Sequence, residues 1–273
     1  MLLSNFEYVP LRILRRFLFS RQVLDRIGAF LPYYLTNWNE SGPDPIVADY
    51  RRYLAMAGQT TDGATVVEVG SGRTNSVGYL LAALGAARVL CLEPFANLDR
   101  VQDQKLLNSI AGLRNTTPKR IADRVDRVHS LTGVRDRSVD IVLSSSVLEH
   151  IKDLNTTLGE LKRVSRPAGA MLHLVDYRDH FFKYPYHFLQ FSRATWEGLL
   201  DPGDLPRWRL SDHVIALRNF GYEVTILDRR EDPEAFRAIK PRLAAQFDPT
   251  DPDLAVTFAA ILARTSRSDE RET

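Results

Sequence analysis

Cysteine is nearly missing: Cys91 is the one thiol among 273 residues. That excludes a disulfide framework, and its place inside an apolar run reads as a small buried core residue. Charge of one sign is not in excess either. Thirty-six Lys and Arg face 34 Asp and Glu, a formal +2, so no polyanion partner is demanded. Basic patches with interleaved aromatics are absent beyond the N-terminal residues, which argues against nucleic acid. No tight His/Asp/Glu group falls at ligand spacing, so no metal site is read. In residues 1–30 the apolar run is too often broken by charge for a membrane span or a signal peptide. Tandem repeats and low-complexity blocks are missing, apart from a short polar tail at 265–273. The 44% hydrophobic content supplies a sizeable core, in one large domain or two small ones.

What is present concentrates at residues 66–75, Val-Val-Glu-Val-Gly-Ser-Gly-Arg-Thr-Asn. An apolar run from Ala64 to Val69 carries one acid, Glu68, and stops at a Gly-Ser-Gly turn. A helix-like stretch follows, then a second strand, Arg88–Leu92, that ends in Glu93. Glycines at 70 and 72 let the backbone approach a ligand where a Cβ would collide. A carboxylate closing the next strand, roughly 20 residues on, takes ribose hydroxyls in nucleoside-cofactor sites. The dinucleotide fingerprint needs a third glycine, and Asn75 stands in its place. Glu68, two residues before the first glycine, complements a cationic amine better than a diphosphate. A nucleoside cofactor other than NAD is the reading, with a Rossmann NAD-dependent oxidoreductase as the weaker alternative.

Strand and helix signals alternate, which predicts an α/β fold with a parallel sheet covered on both faces. Asp44-Pro45 starts a helix bearing Ile46, Val47, Tyr50 and Leu54. Val77–Leu84 is the first crossover helix, stopped near Gly85. Strands follow at 127–129, 139–143 and 170–175, the last two separated by a helix from Leu154 that Pro167 ends. Ser211 or Asp212 caps a helix to Phe220, with Gly221 as its stop. Two further strands read at 222–227 and 255–263. His129 and His173 fall within strands and read as core residues.

Two segments exceed a minimal sheet. Residues 177–210 form a long connection with nine aromatics from Tyr177 to Trp208, too many for disorder. It reads as a substrate lid, or else as a mini-subdomain packed for stability or dimerisation. In the N-terminal segment, Leu11, Ile13, Leu14, Phe17 and Leu18 share one helical arc, with Arg12, Arg15 and Arg16 opposite. Residues 1–30 carry five arginines against Glu7 and Asp25. Such a helix packs over the active site or a partner subunit, a homodimer included, or lies on an anionic membrane surface through residues 11–30. The domain plan is then a helical extension over 1–60, a main domain over 61–264 holding the 177–210 insertion, and the polar tail.

Together Glu68-x-Gly70-x-Gly72, Glu93 and the run Val147-Leu148-Glu149-His150-Ile151 resemble the class I S-adenosylmethionine-dependent methyltransferases, over about residues 64–176. The closest likeness is the subgroup with a V-L-E-H-type segment after the fourth strand. The resemblance implies a seven-stranded Rossmann-like sheet, mostly parallel, closed by a C-terminal antiparallel hairpin. It implies S-adenosylmethionine as cofactor. Gly70, Ser71 and Gly72 would line its methionine part and Glu68 its amino group. Glu93 would hold the ribose, Pro94 the turn beside the adenine, Ser130 and Leu131 the adenine edge. Ser144 would present a backbone carbonyl to the sulfonium. His150 and His180, just beyond the fourth and fifth strands, are the candidate general bases. His187, Tyr177, Tyr184 and Tyr186 are candidates for substrate contact. The Asn/Asp-Pro-Pro-Tyr of amino-group methylation is replaced by Ser144-Ser145-Ser146-Val147, and the paired cysteines of base methylation are missing. The implied reaction is methylation of a small-molecule hydroxyl, on a sugar or secondary-metabolite scaffold, in the cytoplasm or at the inner membrane surface. A non-catalytic, cofactor-binding partner subunit of the same fold is the competing reading.

Overall fold

Val, Leu and Ile fill both faces of the central strands, the pattern of a parallel sheet sandwiched between helices. The structure, a computed structural model, describes residues 3–17, 42–180, 183–201, 203 and 205–265. In chain order these form helix α1 (Asn5–Phe17), α2 (Asp44–Met56), strand β1 (Thr65–Val69), α3 (Ser76–Ala83), β2 (Arg88–Leu92), α4 (Arg100–Leu113), α5 (Pro118–Ala122) and β3 (Val125–Val128). Then come β4 (Val139–Ser145), α6 (Leu154–Val164), β5 (Ser165–Asp176), α7 (Leu210–Asn219), β6 (Tyr222–Glu231), α8 (Pro233–Ile239) and β7 (Val256–Thr265), with short helical turns between them. The seven strands lie in the order β3-β2-β1-β4-β5-β7-β6. The first five run parallel, and β7 pairs antiparallel with both β5 and β6. The expected seven-stranded α/β sheet with its closing hairpin is the one observed.

Period-two alternation sorts the strand residues to two cores. Val66, Val89, Cys91, Ile141 and Leu143 meet α2, α3 and α4, with Tyr50, Tyr53 and Leu54 of α2 buried there. Val67, Val69, Leu90, Val142 and Met171 meet α6 and α7, whose Leu154, Leu158, Leu161 and Leu217 point inward. Local chemistry sets the helix starts. The side chains of Asp99, Thr117, Asp153 and Asp232 each accept from a backbone amide in the first turn of α4, α5, α6 and α8. The expected cap of α7 was misplaced by two or three residues. Arg209 is the N-cap, and Asp212 closes a capping box from the third position by accepting from the Arg209 amide at 2.7 Å. Asp44 is likewise the first helical residue of α2, after Pro43. Helix α6 stops at Val164, and Pro167 lies in an irregular opening of β5, where the pairing with β4 shifts between Val139 and Ile141.

A third core lies outside the sheet. Tyr184, Tyr186, Phe188, Leu189, Trp196, Leu200 and Leu205 of the 177–210 segment pack with Tyr8 of α1, Phe236 and Ile239 of α8, and Leu254. These residues pack as a unit with its own interior. Helix α1 docks on it with Asn5, Tyr8 and Arg12 buried and Val9 and Leu11 packed against the same core. Arg12 is 1% exposed and forms a buried ion pair with Asp179, which also accepts from the Tyr8 hydroxyl and the Phe188 amide. The Arg12 guanidinium also lies over the rings of Tyr8 and Trp196. Leu3, Phe6, Ile13, Leu14 and Phe17 form the exposed row instead. Among the described residues, α1 packs on the aromatic core of the 183–205 stretch and α2 on the sheet. Residues 18–30 of the basic segment, and 266–273 of the polar tail, lie outside the described residues. Among the described residues no helix is long and apolar enough to cross a membrane.

Candidate active site

Strand order reverses between β1 and β4, and open α/β sheets bind ligands in the crevice at the carboxyl end of such a switch point. The Gly70–Gly72 turn leaves β1 on one side of it and the 146–150 segment leaves β4 on the other. Gly70 has φ +80°, and a Cβ there would stand 2.4 Å from a Val147 methyl. Gly72 has φ +67° and open space where its Cβ would be. Both positions need glycine for backbone reasons; Gly70 also needs it because the 147 turn packs directly on it.

Glu93 holds this turn from the end of β2. One of its carboxylate oxygens accepts from the Gly72 amide at 2.8 Å, and the other from the amides of Phe95 and Ala96 at 2.9 Å each. Beneath the turn lies Glu68, 4% exposed and facing the α2–α3 layer beside Cys91 and Tyr50. Burial is the main cause that raises its pKa from 4.5 to about 8, while a hydrogen bond with the Cys91 thiol opposes the shift. Its Oε2 has no hydrogen-bond partner. A buried acid with a spare oxygen is incomplete until a donor or cation reaches it. Cys91 is a free, buried thiol, as expected.

Arg127, on β3, belongs to no sequence motif. Its guanidinium donates to the carbonyls of Gly72 (2.6 Å) and Ala96 (2.8 Å) and to the Asn75 side-chain oxygen (3.1 Å), binding the glycine turn to the 93–96 turn. Asn75 also receives support, since its amide donates to Asp103 of α4 at 2.6 Å. The third glycine of a dinucleotide motif permits close helix–strand contact. Here Gly78 serves that purpose: a Cβ there would lie 2.4 Å from the Cys91 sulfur.

At the adenine edge of the proposed site, Pro94 and Ser130 are exposed, and Phe95 is 85% exposed beside Glu93. Leu131 instead points into the second core. His129 is not a core residue; β3 ends at Val128, and the exposed His129 ring contacts the Glu93 carbonyl through Nδ1 at 2.8 Å. Ser71 sits within reach of Arg127 at 3.4 Å. Ser144 is fully buried and its hydroxyl is hydrogen-bonded to His173 Nδ1 at 2.7 Å, so only its main chain faces the strand end. His173 is a core residue, its pKa lowered by burial to about 3.

His150 and His180 come together across the β4 and β5 ends, with ring centroids 4.6 Å apart. Ser146, at φ +54°, turns the chain back after β4. His213 of α7, another residue without a sequence signal, reaches the Leu148 carbonyl at 3.3 Å and shares a 2.7 Å hydrogen bond with the Tyr177 hydroxyl. The other expected substrate contacts are spent on packing. Tyr177 and Tyr186 are buried, and the Tyr186 hydroxyl donates to the Ala255 carbonyl at 2.6 Å. Tyr184 is paired with Glu7 of α1, and His187 with Ser4 at 2.7 Å. Contrary to the expectation of no metal-ligand group, the ligand atoms of Glu149, His150 and His180 all lie within 4.8 Å of one another.

Residues 67–173 match a family model described as a methyltransferase domain. The human thiol S-methyltransferase TMT1A is 27% identical over 158 residues, 57% of this chain and 60% of that one, so the match spans about three fifths of the relative's length. Two solved structures of phosphoethanolamine N-methyltransferase 2 from Haemonchus contortus share the fold, each with a TM-score of 0.55 at 13% identity, covering 93% of this chain and 59% of theirs. One holds S-adenosyl-L-methionine, the other S-adenosylhomocysteine and phosphomonomethylethanolamine. The glycine turn that fails as a dinucleotide fingerprint thus lies in a stretch, residues 67–173, that carries a methyltransferase domain of the S-adenosylmethionine-dependent class I type.

Proposed function

We propose that the chain transfers the methyl group of S-adenosylmethionine to a small molecule at a proton-bearing heteroatom, a hydroxyl in the first reading. The observation that carries this is the pairing of Glu68 with the glycine turn. A buried carboxylate with a spare oxygen lies under a turn that is open where the Gly72 Cβ would be. That arrangement fits a ligand with a cationic amine and little bulk beside the backbone. Glu68 would hold the amine, Gly70, Ser71 and Gly72 the methionine part, and Glu93 the ribose hydroxyls, giving up amide bonds it now makes. Pro94 and Ser130 would flank the adenine, with exposed Phe95 as an added apolar contact, and Ser144 would contribute its main-chain carbonyl.

The cofactor supplies an activated methyl group, so the protein's work is alignment and proton handling. The His150–His180 pair, at the strand ends facing the crevice, receives the acceptor's proton at an imidazole nitrogen. The packed 177–210 unit forms one wall and excludes water. A thiol acceptor is the second reading, favoured by the similarity to a thiol S-methyltransferase. The test is turnover with methyl-labelled cofactor against parallel panels of small hydroxyl and thiol compounds. Labelled product from the wild type is expected, slowed about 10²–10⁴-fold in His150→Ala or His180→Ala while S-adenosylhomocysteine still binds. Cofactor binding without transfer to either panel, alongside a stable protein partner, would instead support the non-catalytic subunit.

We further assign peripheral contact with an anionic bilayer to the outward row of α1, Leu3, Phe6, Ile13, Leu14 and Phe17, with Arg15 and Arg16 beside it. Flotation with anionic vesicles, abolished in Phe6→Ser/Leu14→Ser, is the expected result. Dimerisation through the same row, seen by sedimentation without flotation, would overturn the assignment.

A further inference from the structure

Glu149 is 2% exposed, and its surroundings do not satisfy a carboxylate. Its Oε1 accepts from the Asp176 amide at 3.3 Å, while Oε2 is buried with no hydrogen-bond partner. Arg178, two residues after Asp176, is committed to the Asp176 carboxylate through Nε and Nη2, at 2.9 and 2.6 Å. A buried acid lacking a counter-charge is costly unless something positive completes it.

Two imidazoles stand beside it. The ligand atoms of Glu149, His150 and His180 fall within 4.8 Å of one another, the spacing of donors around one ion. The backbone that carries them is anchored from outside the group. The Leu148–His150 turn is held by His213 on the Leu148 carbonyl. Asp179, next to His180, is fixed by Arg12, Tyr8 and the Phe188 amide. Outer-shell support of this kind orients metal ligands. Two imidazoles and one carboxylate suit zinc and its first-row neighbours; calcium and magnesium take oxygen donors.

We propose that Glu149, His150 and His180 form a binding site for one divalent transition-metal cation of the zinc class, with an open coordination position for water or the acceptor. The site adjoins the cofactor cradle, because Val147, just before this turn, is the residue that packs on Gly70. Its use in catalysis rests on the methyltransferase reading above; metal binding itself does not. In that use, an acceptor thiol or hydroxyl loses its proton to solvent as it coordinates. Its heteroatom then forms the bond to the methyl carbon as the sulfonium carbon–sulfur bond breaks, and that electron pair remains on the S-adenosylhomocysteine sulfur. The two histidines then act as ligands in place of bases.

The test uses the untagged full chain, stripped with chelator and titrated with Co²⁺, then Zn²⁺. Expected are one Co²⁺ per chain with visible absorption of a low-coordinate site, displacement by Zn²⁺, and binding weaker by at least about 100-fold in His180→Ala or His150→Ala, since losing a ligand costs more than losing an outer-shell partner. Glu149→Gln should weaken binding by at least about tenfold. Calorimetry with S-adenosylhomocysteine, run on the same stripped samples, should be unchanged by metal, which separates the two readings. Absence of Co²⁺ uptake by the wild type overturns the site. So does uptake that both histidine variants retain, which would move it elsewhere. If a variant misfolds by circular dichroism, Glu149→Gln and the wild-type cobalt spectrum decide: an intense low-coordinate spectrum is expected, and the weak spectrum of six-coordinate Co²⁺ overturns the site. Cobalt bound at this site by a chain that ignores S-adenosylhomocysteine keeps the metal site and sinks the methyltransferase reading.

Discussion

Glu68 and Glu93 end neighbouring strands as buried carboxylates, yet the fold treats them oppositely. Glu93 is supplied with three amide donors, whereas Glu68 keeps one oxygen unpartnered and a pKa near 8. Because the folded chain holds the Glu68 proton more tightly, its contribution to stability is complete below pH 4.5 and is lost as pH rises through about 8. Glu68→Gln should therefore match the wild type near pH 4.5, unfold at a higher temperature above pH 8, and bind S-adenosylhomocysteine more weakly. Thermal unfolding across that window checks it, and parallel curves for the two proteins would contradict it. The two glycines separate in the same way. Gly72→Ala meets only left-handed strain, about 1–2 kcal/mol. Gly70→Ala adds a collision with Val147 and should cost visibly more, with the excess recovered in a Val147→Ala background; equal denaturation midpoints for both alanine variants would refute this. Glycine and the acids were legible because their chemistry is local to the turn. Arg127 and Gly78 were not, because their partners lie on another strand and become neighbours only when the sheet forms.

At the level of elements, α1 shows where periodicity misleads. Its apolar arc was legible and real, but the helix buries Arg12 against Asp179 and leaves the apolar row outside. Pattern reading assigns the hydrophobic side to the core, and nothing local to residues 5–17 reveals a buried carboxylate some 170 positions away. The same holds for the 177–210 segment. Its aromatics signalled order, but their roles were set by α1 and α8, which supply the rest of that core. Arg12→Ala should leave Asp179 charged and buried, costing about 3–5 kcal/mol. Hydrogen exchange is expected to accelerate in residues 5–17 and 183–200 while the sheet amides keep their protection. Unchanged exchange in both segments would show that the ion pair does not hold the unit together.

Across the whole molecule, the sheet was the most legible part. Alternating strand and helix signals, strands apolar on both faces and glycine-marked turns all point to one doubly covered parallel sheet, and the observed order agrees. The closing hairpin came only from family resemblance, since two apolar runs alone do not say whether they lie parallel or antiparallel. Candidate site residues were legible where a strand ends at the crevice, as for Glu68, Glu93, His150 and His180. The meeting of His150 and His180 with Glu149 was not, because it depends on β4 and β5 being neighbours and on the left-handed Ser146 that turns the chain back. We infer that the β1–β4 crevice holds S-adenosylmethionine, and calorimetry with S-adenosylhomocysteine on the wild type, Gly70→Val and Glu93→Ala checks it. Binding to the wild type, loss in Gly70→Val and weakening in Glu93→Ala are expected. Equal affinity in all three, or a preference for NAD by the wild type, would contradict it.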